Sequence, residues 1–346
     1  MGEFELLARI RERLAAGGPR LRVGMGDDAA VTVPDGATAT SVDALVEGVH
    51  FRRDQATLAQ IGRKALATAL SDLAAMGAEP GEAYVVLGVP PDLGEDGCLE
   101  LLDGMLELAA ATGACLAGGD VTRAPALTLA VTVVGHAAAP ERLVTRAGAR
   151  PGEALVLTGE IGGAAAGLLL LERGDGGRSS FLPHSDDKDD RAPDSADLGS
   201  LRAGLLARQL EPRPRLEAGR LLAQAGATAM IDLSDGLGGD ARRVAEASGV
   251  GLRIDAAALP LAAGVSELAA AAGRDPLALA VSGGEDYELL AALPPERLEE
   301  ATAALAAAAP DGVALTRIGE VVAGSGVEIR LPGGGLLEAA GFDQLA

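Results

Sequence analysis

The stretch TAMIDLSDGLGGDARRVAEA, from Thr228 to Ala247, decides the fold class of this 346-residue chain. Its apolar run predicts a strand over Thr228–Leu233, and the spacing that follows predicts a helix over Gly239–Ala247. A Gly-rich acidic turn joins the two elements. Because strands that lead directly into helices are typical of mixed architectures, this stretch predicts an α/β or α+β fold.

The same alternation of strand and helix recurs on both sides of this stretch. A strand over Ala154–Thr158 is followed by a helix over Ala164–Glu172, and a helix over Leu58–Met76 is followed by a strand over Ala83–Val89. The turn Arg150-Pro151-Gly152 is a plausible boundary between them. We therefore expect an N-terminal domain at 1–150 and a C-terminal domain at 151–346.

One segment departs from this pattern. Residues Gly174–Gly199 are polar and rich in Asp, and they contain Pro183 and Pro193. Such a composition buries too little apolar surface to offset the entropy of ordering the chain. The segment is therefore predicted to be a flexible insertion at 174–199.

Composition excludes several classes of function. Acidic residues outnumber basic ones 50 to 29, for a formal net charge of −21, which disfavours binding to nucleic acid and to anionic membranes. Cys98 and Cys115 are too far apart in sequence to indicate a disulfide framework or a zinc site. The acidic start of the chain does not resemble a signal peptide, and no apolar run approaches the ~20 residues of a membrane span. A cytoplasmic protein is expected.

The distribution of Asp is the main indication of chemistry, because a carboxylate in apolar surroundings is costly without a cation or hydrogen-bond donors. A strand end that leads into a helix is surrounded by Asp232, Ser234 and Asp235. The N-terminus of a helix binds phosphate readily. The carboxylates would bind phosphate only through a metal ion. Gly26-Asp27-Asp28 places two carboxylates on a loop, which suits Mg²⁺. Each motif also fits an ordinary solvated turn.

Further acidic positions allow the same two interpretations. Ser41-Val42-Asp43 ends a predicted strand. Asp72 shares a helical face with apolar residues. Its side chain is therefore either a metal ligand or hydrogen-bonded within the protein. Gly118-Gly119-Asp120 has glycines whose N–H groups could form an anion site, although Gly-Gly-Asp is also a common turn. Arg146 could bind phosphate or lie on the surface. The loop Ser282–Leu289 is another acidic Gly-Gly turn.

The P-loop motif and the protein-kinase signature are both absent. If the protein handles nucleotide phosphates, metal ions must therefore supply most of the positive charge.

In their order along the chain, these motifs resemble those of the thiamine-monophosphate kinases, members of the aminoimidazole-ribonucleotide-synthetase-like superfamily. The resemblance implies a two-domain α/β fold whose N-terminal sheet forms a barrel across a homodimer, with a C-terminal α/β domain. It implies several Mg²⁺ ions held by Asp28, Ser41, Val42 through its carbonyl, Asp43, Asp72, Asp120, Asp232 and Asp235. It further implies ATP contacts at Gly119, Asp120, Arg146 and Ser234, and substrate contacts at His50 and Glu285.

The resemblance also implies a reaction, the last step of thiamine diphosphate synthesis. The γ-phosphoryl group of ATP would pass directly to thiamine monophosphate, with Mg²⁺ reducing the repulsion between the anionic groups. The acceptor phosphate is already anionic at neutral pH, so no residue is assigned as a general base. The cationic thiazolium ring suits an acidic pocket that includes Glu285.

Two positions depart from the family pattern. Val42 stands where relatives often have Thr, which removes a hydroxyl but leaves the backbone carbonyl. Ala339 stands where some relatives carry an aromatic residue that stacks on the substrate, and Phe342 is the expected replacement.

Three other functions are open from sequence alone. One is a different enzyme of the same superfamily, such as a purine-pathway cyclo-ligase or a hydrogenase-maturation dehydratase. Another is a Mg-ATP sensor without turnover, which would not require so many carboxylates. The last is a halophilic or surface-adapted protein whose acidic residues serve mostly for solvation. That role would not place Asp within Gly-rich apolar loops.

Overall fold

A computed structural model describes residues 3–14, 17–25, 29–172, 195–308, 313–339 and 341. In chain order the elements are α1 (Glu3–Arg13), β1 (Leu21–Val23), β2 (Val31–Thr32), β3 (Ala37–Val46), α2 (Leu58–Ala75), β4 (Glu79–Val89), α3 (Glu95–Thr112), β5 (Cys115–Arg123), β6 (Thr128–Ala137), β7 (Ala154–Thr158), α4 (Gly163–Glu172), α5 (Ser195–Leu210), α6 (Leu216–Gln224), β8 (Ala229–Asp232), α7 (Leu237–Ser248), β9 (Gly251–Asp255), α8 (Val265–Ala271), α9 (Pro276–Ser282), β10 (Leu289–Leu293), α10 (Leu298–Ala308), β11 (Leu315–Val322), β12 (Gly326–Arg330) and β13 (Leu336–Leu337).

The chain divides into two compact units. The first comprises Met1–Val144 with Arg213–Gln224, and the second comprises Thr145–Pro212 with Ala225–Ala346. Both contain helices and sheets, so the predicted α/β class is confirmed.

The first unit is built on a four-stranded sheet with the order β3-β6-β4-β5. The pair β4–β5 is parallel and the other pairs are antiparallel. Helices α2 and α3 pack against each other through glycines. A Cβ atom on Gly62 would lie 1.9 Å from the Leu101 carbonyl oxygen, and one on Gly104 would lie 1.9 Å from that of Ala59. Only glycine permits this approach of the two backbones.

Side chains along β3 alternate between the two faces of the sheet. Ser41, Asp43 and Leu45 share one face, where Leu45 is buried and α2 packs. Val42 lies on the opposite face and is 66% exposed. The helix-covered face therefore receives two polar residues of the acidic motif, and Val42 lies on a face that is exposed in this chain.

The second unit contains a seven-stranded mixed sheet with the order β13-β12-β9-β11-β7-β10-β8. Strands β7, β8 and β10 consist entirely of buried residues, as expected when both faces of a strand are covered. The core consists of aliphatic side chains such as Leu157, Ile231 and Leu290, in agreement with the scarcity of aromatic residues. Helix α7 begins five residues after β8 ends.

One expectation from the sequence needs correction. Gly118-Gly119-Asp120 lies within strand β5 and not in a turn, because its residues pair in register with Tyr84, Val85 and Val86 of β4. The predicted insertion at 174–199 largely falls outside the described residues. Its last residues, from Ser195, belong to helix α5, whose later turns bury Leu205 and Gln209.

Candidate functional site

The acidic motif of the first unit brings Ser41 and Asp72 together. The Ser41 hydroxyl on β3 donates a hydrogen bond to Oδ2 of Asp72 on α2. Asp43 lies on the same face of β3, two residues further along. This places three oxygen-bearing side chains on the face of the sheet that α2 contacts. The Val42 side chain points to the other face, so only its backbone carbonyl remains available for the predicted role.

His50 lies in the loop that follows β3, and a backbone contact selects the tautomer of its neutral ring. The Val46 N–H donates to Nδ1 of His50 over 3.1 Å. Because Nδ1 accepts, a neutral ring must carry its proton on Nε2. The loop is held by an ion pair in which Arg53 Nε donates to Glu47 Oε1 over 2.6 Å. His50 can therefore offer an N–H donor to an anion.

Gly119 and Asp120 lie apart from the Ser41–Asp72 contact. Across the full width of the sheet, Asp43 on β3 pairs with Val131 on β6, Val131 pairs with Val85 on β4, and Val85 pairs with Gly119 on β5. With about 4.8 Å between neighbouring strands, this separation is about 14 Å. Asp120 is exposed. The structure therefore does not bring Asp120 to the same point as Asp43 and Asp72.

A cavity of about 70 Å³ adjoins Gly118, Gly119 and Asp120. Its other walls are apolar residues of α1, α3 and the sheet, including Leu7, Leu101 and Met105. Cys98 also lines it, and burial raises the pKa of the Cys98 thiol. The mostly apolar lining of this cavity suits an organic group of low polarity.

In the second unit, two acidic loops are joined by backbone hydrogen bonds. The Glu285 N–H donates to the Ser234 carbonyl over 2.8 Å, and the Tyr287 N–H donates to the Leu233 carbonyl over 2.9 Å. A Cβ atom on Gly284 would lie 2.4 Å from the Ser234 oxygen, so this contact requires glycine. The motifs at 232–235 and 283–288 therefore lie against each other, although they are about fifty residues apart in sequence.

Asp235 is held by two residues that the sequence analysis did not single out. Its N–H donates to Oδ2 of Asp240 over 3.0 Å, and Arg243 donates to Oδ2 of Asp235 over 2.6 Å. Arg243 also binds the other Asp240 oxygen. Asp240 is fully buried, and this burial raises its pKa to about 6 despite the neighbouring guanidinium. The Asp235 carboxylate is therefore already paired with a cation from the chain.

Glu285 and Asp286 lie in a strained turn. Glu285 and Tyr287 have φ values of 69° and 50°, a region that is unfavourable for residues other than glycine. Such strain is maintained by surrounding contacts and is common at functional sites. The Asp286 carboxylate accepts the N–H groups of Gly162 and Ala164 at 2.7 and 3.1 Å. Its enclosure raises its pKa to about 7, although these donors oppose the shift.

The remaining predicted residues are placed as follows. Asp232 is buried at the end of β8, Ser234 is half-buried in the loop that follows, and Arg146 is exposed. Asp28 and Phe342 lie outside the described residues. Gly341, which precedes Phe342, packs against Gly239 beside Asp235, where a Cβ atom on Gly341 would lie 2.7 Å from the Gly239 Cα atom.

The described ranges contain no group of three His, Cys, Asp or Glu side chains arranged to hold a metal ion. The residues still fit Mg²⁺ chemically, because this ion usually takes one or two protein carboxylates and completes its shell with water and substrate phosphate. The oxygens at Ser41 and Asp72 match that requirement.

Both halves of the chain match known domain families. The N-terminal domain of AIR synthase related proteins matches residues 26–137, and their C-terminal domain matches residues 150–332. The thiamine-monophosphate kinase of Mycobacterium tuberculosis (strain ATCC 25618 / H37Rv) is 39% identical over 300 residues. The match covers 84% of this chain and 80% of that protein.

Solved structures give the same result. The thiamine-monophosphate kinase of Stenotrophomonas maltophilia K279a superposes with a TM-score of 0.78 at 34% identity, covering 95% of this chain and 96% of that one. A structure described as AaThiL complexed with AMPPCP and TMP superposes with a TM-score of 0.72 at 29% identity, covering 98% and 96%.

Proposed function

The chain belongs to the thiamine-monophosphate kinase family, and on that premise we propose that it transfers the γ-phosphoryl group of ATP to thiamine monophosphate, forming thiamine diphosphate and ADP. The observation that carries this function is the 39% identity to a named kinase over 84% of the chain. The likeness to a kinase complex that contains AMPPCP and TMP supports both substrates.

In this proposal, several Mg²⁺ ions are held by oxygen ligands of the chain. Ser41 and Asp72 are the pair whose contact supports it most directly, and Val42, Asp43, Asp120, Asp232, Asp235 and Asp28 complete the proposed set. Bound Mg²⁺ would reduce the charge repulsion between the anionic phosphates. The carboxylates of the chain hold these cations. The acceptor phosphate is already anionic at neutral pH, so no residue is assigned as a general base.

ATP is proposed to contact Gly119, Asp120, Arg146 and Ser234. The mostly apolar cavity beside Gly119 and Asp120 suits the flat adenine base. Arg146 is exposed and its guanidinium is suited to phosphate oxygens.

Thiamine monophosphate is proposed to contact His50, Glu285 and Phe342. The protonated Nε2 of His50 is a donor for the phosphate group, because Nδ1 is engaged by the Val46 N–H. The carboxylate of Glu285 suits the cationic thiazolium ring. Phe342 follows Gly341, which packs on α7 beside Asp235.

The active form is proposed to be a homodimer in which the open faces of two four-stranded sheets meet in a barrel. This proposal is supported by the exposure of Val42 and Val86, which are 66% and 45% accessible on that face. Exposed apolar surface of this kind commonly marks an interface. Sedimentation should show a dimer, and Val86→Glu should shift it toward the monomer.

The described residues include no helix long and apolar enough to cross a membrane.

The experiment that tests the function is turnover of the purified chain with ATP, Mg²⁺ and thiamine monophosphate, with thiamine diphosphate measured by chromatography. Product should form only when all three are present. If Mg-ATP binds but no product forms with saturating acceptor, the proposed acceptor is wrong. In that case other small phosphorylated acceptors should be screened.

A further inference from the structure

The carboxylate of Glu285 is held by a neutral side chain. Gln209 on α5 donates from Nε2 to Oε2 of Glu285 over 2.5 Å. Gln209 is only 4% exposed, and its Oε1 atom is buried with no hydrogen-bond partner within the described ranges. An unpaired buried carbonyl oxygen is unfavourable. A glutamine retained under this penalty requires a reason, and its bond to Glu285 is the contact that can provide one.

The position of Gln209 is fixed by close packing. Helix α4 crosses α5 at Gly167, where an added Cβ atom would lie 2.2 Å from the Leu205 carbonyl oxygen and 2.9 Å from the Gln209 Cβ atom. At the other end of the contact, the Glu285 backbone is bound to Ser234. The amide and the carboxylate therefore meet in one defined geometry.

The nearest basic residue on α5 is directed elsewhere. Arg208 donates to the Glu160 carboxylate over 2.5 Å and to the Glu160 carbonyl over 3.2 Å. A guanidinium in place of the Gln209 amide would orient Glu285 but would cancel its charge. An amide orients the carboxylate and adds no positive charge.

We propose that Gln209 is a positioning and specificity-determining residue that orients the Glu285 carboxylate toward a positively charged ring of the acceptor without neutralising it. This inference rests on the proposed function, because the acceptor named there carries a cationic thiazolium ring. It goes beyond that function by assigning the preference for a cationic acceptor to a residue that does not itself need to touch the substrate.

The test compares two acceptors in three proteins. The acceptors are thiamine monophosphate and its analogue with a neutral ring, in which carbon replaces the thiazolium nitrogen. The proteins are the unmodified chain, Gln209→Met and Gln209→Lys. Equilibrium binding of each acceptor is measured by calorimetry, and KM and kcat are measured for acceptor and for ATP.

The unmodified chain should bind the cationic acceptor at least tenfold more tightly than the neutral analogue. Gln209→Met should raise KM for thiamine monophosphate about fivefold and reduce this preference, because the carboxylate loses its orientation. Gln209→Lys should abolish the preference, because an ammonium group cancels the charge. KM for ATP should change less than twofold in both variants.

Gln224→Met, at an exposed glutamine of α6, is the matched control and should change none of these values. Equal binding of the two acceptors by the unmodified chain would overturn the inference without any variant, even if a variant folds poorly. An unchanged preference in Gln209→Lys would also overturn it. Absence of turnover with intact, cation-selective binding would instead contradict the proposed function and leave the inference standing.

Discussion

The Ser41–Asp72 centre of the first unit and the Asp235 centre of the second unit hold a carboxylate in opposite ways. In the first unit, Asp72 accepts a hydrogen bond from the neutral Ser41 hydroxyl. In the second unit, Asp235 is bound by Arg243, which also pairs with the buried Asp240. A hydroxyl leaves the full negative charge of a carboxylate in place, whereas a guanidinium cancels it.

This difference indicates different tasks for the two centres. The Ser41–Asp72 centre is suited to receive an added cation, because its charge is not balanced by that contact. The Asp235 centre already contains the Arg243 cation, so an added cation would have to compete with Arg243 for the carboxylate. The first centre should therefore dominate metal-dependent activity, and the second should contribute more to stability.

The largest expected effect is at Asp72. Asp72→Asn keeps an oxygen that can accept the Ser41 hydroxyl but removes the charge, so the fold should be retained. Turnover should fall at least ~100-fold, which corresponds to roughly 3 kcal/mol in the activation barrier. The Mg²⁺ concentration for half-maximal activity should rise. Both are measured by chromatographic assay of thiamine diphosphate across a Mg²⁺ titration.

The matched control is Asp103→Asn, which removes an exposed carboxylate that binds Arg13 on the neighbouring helix. It should leave turnover unchanged, because exposed ion pairs contribute little. Full activity in Asp72→Asn at low Mg²⁺ would show that Asp72 does not act as a metal ligand.

The next effect is on stability, at Asp240. Asp240→Asn replaces one of two accepting oxygens with an amide donor, so either the Asp235 N–H or Arg243 loses its hydrogen bond to residue 240. We expect the free energy of unfolding to fall by about 2 kcal/mol, measured by urea denaturation. Glu328→Gln, which weakens an exposed pair with Arg330, should cost less than ~0.5 kcal/mol.

A double mutant sharpens this assignment. If Asp240 and Arg243 act as one unit, Asp240→Asn combined with Arg243→Met should cost clearly less than the sum of the two single changes. Additive losses would show that the two side chains stabilise the fold independently, and the comparison between the units would lose its basis.

The sequence was sufficient for the fold class because local patterns carry it. Helix α2 has a continuous apolar period, and the strand–turn–helix pattern around Asp232 can be recognised without any long-range contact. The family resemblance followed from the order of the same motifs. The placement of Gly118-Gly119-Asp120 in a strand could not be found in this way, because it depends on pairing with β4, about thirty residues away.

The supporting residues of the site were missed for a related reason. Gln209 and Glu285 are separated by 76 positions. Helix α5 follows a polar segment, so the sequence pattern does not indicate where the helix begins. Asp240 was visible in the stretch LGGDARR, only five residues from Asp235. It was not singled out because its function depends on burial, which the sequence pattern does not reveal at that position.

A third acid, Asp286, extends the comparison to a carboxylate held by backbone N–H groups. Its pKa is raised to about 7, so the folded state binds a proton that the unfolded state releases near pH 4. Stability from this group is present at low pH and is lost as pH rises toward 7. Between pH 5 and pH 8, the unmodified chain should therefore lose about 2 kcal/mol more of its unfolding free energy than Asp286→Asn does.

This prediction is checked by urea denaturation at both pH values. Asp255→Asn is the control, since Asp255 also accepts a backbone N–H but lies at an exposed position. It should leave the pH dependence unchanged. Identical pH dependence in Asp286→Asn and the unmodified chain would mean that Asp286 is charged throughout this range.

The smallest expected effect is at Ser41, and it separates orientation from charge in the first centre. Ser41→Ala removes the hydroxyl that donates to Asp72 but leaves the carboxylate and its charge in place. If charge is the main contribution, turnover should fall only about three- to tenfold, or roughly 1 kcal/mol, far less than in Asp72→Asn. A loss as large as that of Asp72→Asn would mean that the hydroxyl itself is an essential ligand. The first unit would then depend on a pair of oxygens, and the contrast with the Arg-paired Asp235 would rest on ligand number and not on charge.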